Sequence, residues 1–187
     1  MILLYGHEFK DLSKRMHAYP ISGVMLKASR KETYFDFEST LLELKDTLKG
    51  GFIMHELEGE LDQLYHDYTF IKPYLDADDY CLVHYSEASL AFVKNHQDLN
   101  VAVSFVKDYF TAHVVLSLGV RMVMIDCTAL SQTETSPLSL IEDLKHKNKE
   151  SFKVIALVDS ISSSNQALKA GADFIMINDT LFSDTIK

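Results

Sequence analysis

Short apolar runs alternate with longer amphipathic stretches along almost the whole chain, and this alternation constrains the fold more than any other feature. The runs are continuously apolar, which is typical of strands in a parallel sheet that is covered on both faces. Because a turn or a helix-like stretch separates each run from the next, we interpret every run as one strand. The predicted strands are Ile2–Tyr5, Ser22–Lys27, Phe52–His55, Asp79–His84, Asn100–Ser104, Met122–Asp126, Lys153–Val158 and Phe174–Asn178.

The stretches between these runs have helical periodicity, as in Phe37, Leu41, Leu44 and Leu48. Strict alternation of strand and helix gives either a doubly wound sheet or a closed barrel, and the eightfold repeat favours the barrel. We therefore predict an α/β fold: a small (β/α)8 TIM-type barrel with a truncated last helix, forming one domain over residues 1–187. The predicted helices are Phe9–His17, Tyr34–Leu48, Leu61–Tyr74, Ser86–His96, Tyr109–Leu118, Leu138–Lys147, Ser162–Ala170 and the short Leu181–Lys187.

Composition narrows the protein class. The formal net charge of −9 argues against broad, non-specific binding of nucleic acid, although Lys27, Arg30 and Lys31 form a local basic cluster. No stretch is apolar enough for a membrane span, and no basic segment precedes a long apolar one as in a signal peptide. Cys81 and Cys127 lie in strand-like runs, where buried free thiols are expected. These features predict a cytoplasmic protein with no membrane association.

Polar or ionisable residues end most of the predicted strands, and in a closed barrel these ends converge around one mouth. Such groups bind small ligands, bind a divalent cation or exchange protons, although Asp, Asn and Ser also commonly begin loops and cap helices. His55 and Glu56 are adjacent, so their side chains are expected on opposite faces of the strand. The candidate ligand-binding residues are His55, Glu56, His84, Ser104, Asp126, Asp159, Ser160 and Asn178.

Several kinds of chemistry have no support in the motifs. A metal site built from His55, His84, Asp126 and Asp159 is conceivable, but no compact motif such as H-E-x-x-H is present, so we predict neither a metal nor a cofactor. There is no G-x-S-x-G elbow and no glycine-rich nucleotide loop. Cys127 has acids nearby but no obvious activating base. We therefore predict no catalytic nucleophile.

The last two strand–helix units are typical of phosphate-binding barrels. The strand up to Val158 is followed by a short helix, by Ala170-Gly171-Ala172 and by another apolar strand. In such barrels the phosphate lies on backbone N–H groups after strands seven and eight, usually at glycines. The turn at Asp159 has no glycine, and a carboxylate there would repel an anion. The serines and the helix beginning near Ser162 still offer donors.

The whole chain resembles the glycerol uptake operon antiterminator family. The resemblance is carried by Phe9-Lys10-Asp11-Leu12, Gly51-Phe52-Ile53-Met54-His55, Ile71-Lys72-Pro73, Ala170-Gly171-Ala172 and Asn178-Asp179-Thr180-Leu181-Phe182. It implies a barrel protein that regulates transcription by antitermination in glycerol metabolism and is not an enzyme. It also implies binding of glycerol-3-phosphate, or a related small phosphate or polyol, and of a leader mRNA.

The departures from the family pattern fall mostly at functional positions. His84-Tyr85-Ser86-Glu87 replaces a Ser-Thr-Arg-Ser turn, and Ser104-Phe105 replaces a Gln-Arg pair. Together with the glycine-free turn after Leu157, these changes remove two arginines and two glycines that suit a phosphate dianion. The resemblance therefore implies a divergent member with an eroded phosphate site.

Two other functions stay open at this point. One is an isomerase, epimerase or lyase of the kind common on such barrels, with His55, His84, Asp126 and Asp159 as its acids and bases. The other is an interaction module without a ligand, for which a homodimer is one arrangement. Aromatic residues that suit either the core or such an interface are Tyr65, Tyr68, Phe70 and Tyr74.

Overall fold

The computed structural model describes residues 2–6, 21–27, 34–128, 136–147 and 152–178. Strands and helices alternate through these ranges. The strands are β1 (Ile2–Gly6), β2 (Ile21–Lys27), β3 (Phe52–Leu57), β4 (Tyr80–His84), β5 (Val101–Ser104), β6 (Met122–Asp126), β7 (Lys153–Val158) and β8 (Phe174–Asn178). The helices are α1 (Tyr34–Leu48), α2 (Leu61–Ile71), α3 (Glu87–Asn95), α4 (Tyr109–Ser117), α5 (Pro137–Lys147) and α6 (Ile161–Ala170).

All strand pairings are parallel. Each strand pairs with the next one in the chain, and β8 pairs with β1, so that the sheet closes on itself. The predicted α/β fold with parallel strands is confirmed. The predicted helices Phe9–His17 and Leu181–Lys187 lie outside the described residues. Because all the strands run in one direction, their carboxyl ends share one rim.

Two element boundaries differ from the prediction by two residues or more, and the other described boundaries agree within one residue. The predicted helix Leu61–Tyr74 ends at Ile71 and continues as a 3₁₀ turn over Lys72–Tyr74. Pro73 lacks the N–H that a further α-helical turn would need. Strand β3 continues to Leu57, two residues beyond the predicted end at His55. This extension keeps residues 55–57 in regular alternation, which decides where their side chains lie.

Alternate residues of each strand enter two separate hydrophobic clusters. One cluster fills the inside of the sheet, and five of its ten buried residues are methionines, whose unbranched side chains adapt to irregular space. The other lies between the sheet and the helices, where Ile53 and Leu57 of β3 pack with Leu41, Leu44 and Leu64. The inner cluster comprises Leu3, Met25, Met54, Leu82, Ala102, Met122, Met124, Ile155, Phe174 and Met176.

The interior is closed by aromatic rings at the amino ends of the strands. Phe52 lies edge-to-face against Tyr80 and against Phe174, with ring centroids 5.3 and 5.4 Å apart. These rings belong to the first residues of β3, β4 and β8. The interior is therefore packed with apolar rings at this end, opposite the rim at the carboxyl ends of the strands.

Two buried or half-buried aspartates fix the helices to the amino ends of the strands. Asp79 accepts the N–H of Ile53 at 2.8 Å and lies 3.1 Å from Lys45 Nζ of α1. Asp173 accepts the N–H of Val154 at 2.7 Å and pairs with Lys145 of α5 at 2.7 Å. In each case one carboxylate satisfies a strand-end donor and a helix cation, which is a stabilising role away from the rim.

Candidate functional site at the carboxyl ends of strands β3 to β5

His55 and Glu56 of β3 are both buried but lie on opposite sides of the sheet. In register, His55 lies beside Leu26 and Cys81, which belong to the cluster under the helices. Glu56 lies beside Leu82, which belongs to the inner cluster. Their exposed fractions are 1% and 6%. The sequence prediction that these neighbours face apart is confirmed, and Glu56 is the one that faces the barrel interior.

The structure places the side chain of His55 away from the predicted ligand-binding mouth. Its side chain lies between the sheet and the helix layer, because β3 is still a regular strand at this position. Burial lowers the pKa of His55 from its ordinary 6.5 to about 4; the nearby Asp79 opposes this shift, and Lys45 adds to it. The imidazole is therefore neutral at pH 7 and is part of the packing.

Three ionisable side chains from β3, the loop after it and β4 converge at the rim. His84 Nε2 lies 3.3 Å from Glu56 Oε1 and 3.4 Å from Glu58 Oε1. The side chain of Glu58 is 42% exposed and that of His84 is 30% exposed, whereas that of Glu56 is 6% exposed. We call Glu56, Glu58 and His84 the rim cluster. It combines a buried carboxylate, a carboxylate in contact with solvent and one imidazole.

The other nitrogen of His84 is held by the next strand. Ser104 lies beside His84 in the β4–β5 register, and His84 Nδ1 is 2.5 Å from Ser104 Oγ. Ser104 is fully buried, and its hydroxyl lies 3.5 Å from the carbonyl oxygen of Val83, to which it can donate. When Ser104 donates to that carbonyl, its Oγ accepts a hydrogen bond from His84 Nδ1. Ser104 is thus a positioning residue that turns Nε2 toward the carboxylates.

Phe105 covers one side of the imidazole. Its ring centroid is 4.7 Å from that of His84, and its backbone φ is +58°, a left-handed conformation that non-glycine residues seldom adopt. Its side chain is 47% exposed. This strained position keeps an aromatic ring beside the rim cluster, at the point where β5 ends.

A cavity adjoins the rim cluster between the ends of β3 and β4 and the first turns of α2 and α3. Its volume is about 410 Å³. Glu58 and His84 line it together with Glu60, Ser86 and Glu87. With three glutamates on its wall, the cavity favours a cation or a hydroxylated ligand over an anion. A larger cavity of about 510 Å³, bordered by His96, Asn100 and Arg121, lies at the other end of the sheet.

Asp126, at the end of β6, makes its hydrogen bonds within its own turn. Its Oδ1 accepts the backbone N–H of Thr128 at 2.8 Å and the hydroxyl of the same residue at 2.5 Å. An aspartate that begins a loop commonly forms such a turn with the residue two positions later. The structure therefore gives Asp126 a local role that the sequence had left open as an alternative.

Ser160, after β7, is the N-cap of helix α6, and Asp159 bonds to a side chain of the same first turn. Ser160 Oγ accepts the N–H of Ser163 at 3.1 Å, and Asp159 Oδ1 accepts the Ser163 hydroxyl at 2.9 Å. The helix begins at Ile161, one residue earlier than predicted. Ser160 thus occupies one backbone donor of the first helical turn, and Asp159 adds a carboxylate beside it. The turn is thus organised as a helix cap.

The structure changes the set of side chains that could hold a metal. Within the described part of the chain, the rim cluster is the group whose ligand atoms all lie within 4.8 Å of one another. The structure does not bring His55, His84, Asp126 and Asp159 together, because His55 faces the helices and both aspartates form hydrogen bonds within local turns.

Glu58 is the member of the rim cluster that sequence reasoning missed. In His55-Glu56-Leu57-Glu58, residues 56 and 58 are two apart, so a strand that continues to Leu57 places both on its inner side. The two-residue alternation of side chains along a strand was therefore the signal that could have identified Glu58. For Asn178, the structure describes the backbone, which pairs with Tyr5, and its side chain lies outside the described part.

The remaining singled-out side chains have structural roles. Cys81 and Cys127 are buried free thiols, as predicted, and burial raises their pKa values to about 12 and about 11. Tyr68 is buried against Phe92, and Tyr65, Phe70 and Tyr74 pack partly buried on the same cluster. Among the described helices, none combines the length and apolarity needed to cross a membrane.

Comparison with known proteins gives structural similarity without sequence similarity. No model of a known protein family matches the chain, and no curated protein matches it. Among solved structures, Streptococcus agalactiae CutC, named for a proposed role in copper homeostasis, has a TM-score of 0.71 at 13% identity, covering 95% of this chain and 97% of that one.

Two further solved structures have similar scores. The BexX/CysO complex of Amycolatopsis orientalis gives a TM-score of 0.68 at 11% identity, over 96% of this chain and 80% of the other. Thiamine phosphate pyrophosphorylase of Pyrococcus furiosus gives 0.65 at 11% identity, over 95% and 84%. These TM-scores support a TIM-barrel-like fold. Because the sequence identities are so low, the similarity carries no information on the ligand or the reaction.

Proposed function

We propose that this protein is a cytoplasmic, ligand-responsive regulator of the kind exemplified by the glycerol uptake operon antiterminators, built on a complete (β/α)8 barrel. Its ligand is a small polyol that binds in the 410 Å³ cavity beside Glu58 and His84. A leader mRNA is its proposed target. The regulatory and RNA components of the proposal are supported by the resemblance of the whole chain to that family.

The rim cluster is the observation that carries the choice of ligand. Two carboxylates converge on His84, and Glu60 and Glu87 add to the acidic wall of the same cavity. A phosphate dianion would meet like charges here, whereas polyol hydroxyls can donate hydrogen bonds to the carboxylates. The capped turn at Asp159 and Ser160 supports the same choice, because it offers no glycine-rich anion cradle.

Thermal denaturation in the presence of each ligand tests the choice. Glycerol is expected to raise the Tm in a saturable manner, and glycerol-3-phosphate is expected to raise it less. The Glu58→Gln variant should lose the saturable part, whereas Asp159→Asn should keep it. The general stabilisation by high polyol concentration is shared by all variants, so the difference between them reports the site. A glycerol-3-phosphate response as large in Glu58→Gln as in the wild type would overturn this assignment.

Binding of a leader RNA tests the regulatory part of the proposal. Titration at physiological salt should give an affinity that changes several-fold when the polyol is present, since an effector and a target that both bind the protein are linked by a coupling free energy. No RNA binding, with or without polyol, contradicts the regulatory role and leaves the ligand assignment standing.

A second candidate function is proton transfer on a small carbonyl compound, as in an isomerase or epimerase. It is favoured by one observation: a carboxylate–imidazole pair, Glu58 with His84, borders the cavity. Such a pair can remove and return a proton next to a carbonyl group. Incorporation of solvent deuterium into glyceraldehyde or dihydroxyacetone, measured by NMR and lost in His84→Gln, would support it. The same exchange in both proteins, or none in either, speaks against it.

A further inference from the structure

We infer that the rim cluster binds one divalent transition-metal ion through Glu56, Glu58 and His84, with an open coordination position facing the 410 Å³ cavity. The inference concerns the same rim on which the proposed function rests. It needs neither the polyol nor the RNA, because it is argued from the three donor atoms themselves.

The spacing of the donor atoms fits one ion. Two ligands of a tetrahedral ion with bonds of about 2.1 Å lie about 3.4 Å apart. His84 Nε2 is 3.3 Å from Glu56 Oε1 and 3.4 Å from Glu58 Oε1. All three donor atoms lie within 4.8 Å of one another, so small side-chain movements bring them around a common centre.

The donor types select the class of metal. One imidazole nitrogen with two carboxylate oxygens suits zinc and related transition ions, whereas magnesium and calcium prefer oxygen alone. A divalent ion with two carboxylates and a neutral imidazole also has no net charge. This neutrality suits the position of Glu56, which is buried to 94%, because net charge is costly in a buried environment.

The orientation of His84 supports metal binding independently of these distances. Ser104 is fully buried, and when its hydroxyl donates to the Val83 carbonyl it accepts a hydrogen bond from Nδ1. Nε2 is then either protonated and donating to the carboxylates, or unprotonated and directed at a cation between them. A hydrogen bond from the outer nitrogen of a histidine is the usual support of a metal ligand.

The cavity provides space for a fourth ligand of the metal ion. Glu58 and His84 belong to the rim cluster and also line the cavity, whereas Glu56 is buried. Three protein ligands and one open position are typical of zinc sites that bind a further molecule. A hydroxyl group of a bound small molecule can occupy that position.

Zinc titration of the chain over residues 1–187 tests the inference. The protein, free of any affinity tag and stripped with a chelator, is titrated with Zn²⁺ in competition with a chromophoric chelator. One equivalent is expected to bind, and His84→Gln is expected to weaken binding at least 100-fold, or about 2.7 kcal/mol at 1.36 kcal/mol per tenfold change. His113→Gln, at an exposed histidine on α4, is the matched control and should bind as the wild type does.

Two further variants keep the test decisive if one protein does not fold. Glu58→Gln alters a half-exposed side chain and should weaken zinc binding at least tenfold with an unchanged metal-free Tm. Ser104→Ala should weaken it less, through the loss of orientation. Wild-type protein that takes up no zinc at micromolar concentration, or His84→Gln that binds equally well, overturns the site. Zinc binding without any polyol response would contradict only the proposed function.

Discussion

The carboxyl ends of β3 to β5 and those of β6 and β7 both carry polar side chains, but they use them differently. In the first region His84 contacts Ser104, 20 residues away, and Glu58, 26 residues away. In the second region Asp126 contacts Thr128, and Asp159 contacts Ser163, so that every partner lies within four residues. The first region is assembled by the tertiary fold, and the second by local turns.

This difference separates a candidate site from a set of caps. A local hydrogen bond forms wherever the adjacent loop or helix forms, so it needs no conserved geometry between strands. A contact between ionisable groups on neighbouring strands forms only when the sheet register brings them together. Burying one of them costs free energy of desolvation, which an apolar side chain at that position would not cost. The candidate site therefore belongs to β3–β5.

The largest expected effect is the pH dependence of stability caused by His55. It tests whether the first region is limited to the inner face of β3. The pKa of His55 is lowered to about 4 in the folded chain, so the unfolded chain binds more protons between about pH 6.5 and pH 4. The native state is therefore destabilised as the pH falls through this window, by on the order of 3 kcal/mol at 1.36 kcal/mol per pH unit. Urea unfolding between pH 7 and pH 4 should show this loss in the wild type.

The variant His55→Gln is the control for that loss. Its free energy of unfolding at pH 7 is expected to be lower, but its decrease with falling pH should be smaller than that of the wild type. Parallel curves for the two proteins would mean that His55 is accessible to protons in the folded state, and the first region would then extend to the outer face of β3.

An intermediate effect is expected for the contact between β3 and β4. A double-mutant cycle with Glu56→Gln and His84→Gln at pH 7 should give a coupling energy of about 1–2 kcal/mol, because the two side chains are in contact and one is buried. The pair Asp159→Asn and His84→Gln should be additive within about 0.5 kcal/mol. Equal coupling in both cycles would remove the distinction between the regions.

The smallest effect concerns the second region. Ser160→Ala removes the N-cap of α6 and should lower the free energy of unfolding by about 1 kcal/mol. Ser162→Ala, at an exposed position in the first turn, should change it by much less. Neither variant should alter zinc or polyol binding. A loss of ligand binding in Ser160→Ala would show that the carboxyl end of β7 belongs to the ligand-binding site.

The sequence predicted the strands and the parallel sheet well, because continuous apolar runs and glycine or proline boundaries are local signals. It also predicted that His55 and Glu56 face apart. It did not reveal which of the two faces inward, since that depends on the sheet register and on the extension of β3 to Leu57. For the same reason Glu58 was missed. The sequence predicted Asp126, Asp159 and Ser160 as ligand-binding candidates and left local turns and caps as the alternative, which is the role that their hydrogen bonds show.

The methionine-rich inner cluster lies beneath the rim, and its composition affects how such a protein can change over evolutionary time. Flexible thioether chains tolerate substitutions in their surroundings better than branched residues do. Residues at the mouth can therefore be exchanged, and the ligand with them, while the interior adjusts its packing and the scaffold persists. A barrel of this composition is predisposed to acquire new specificities from few substitutions.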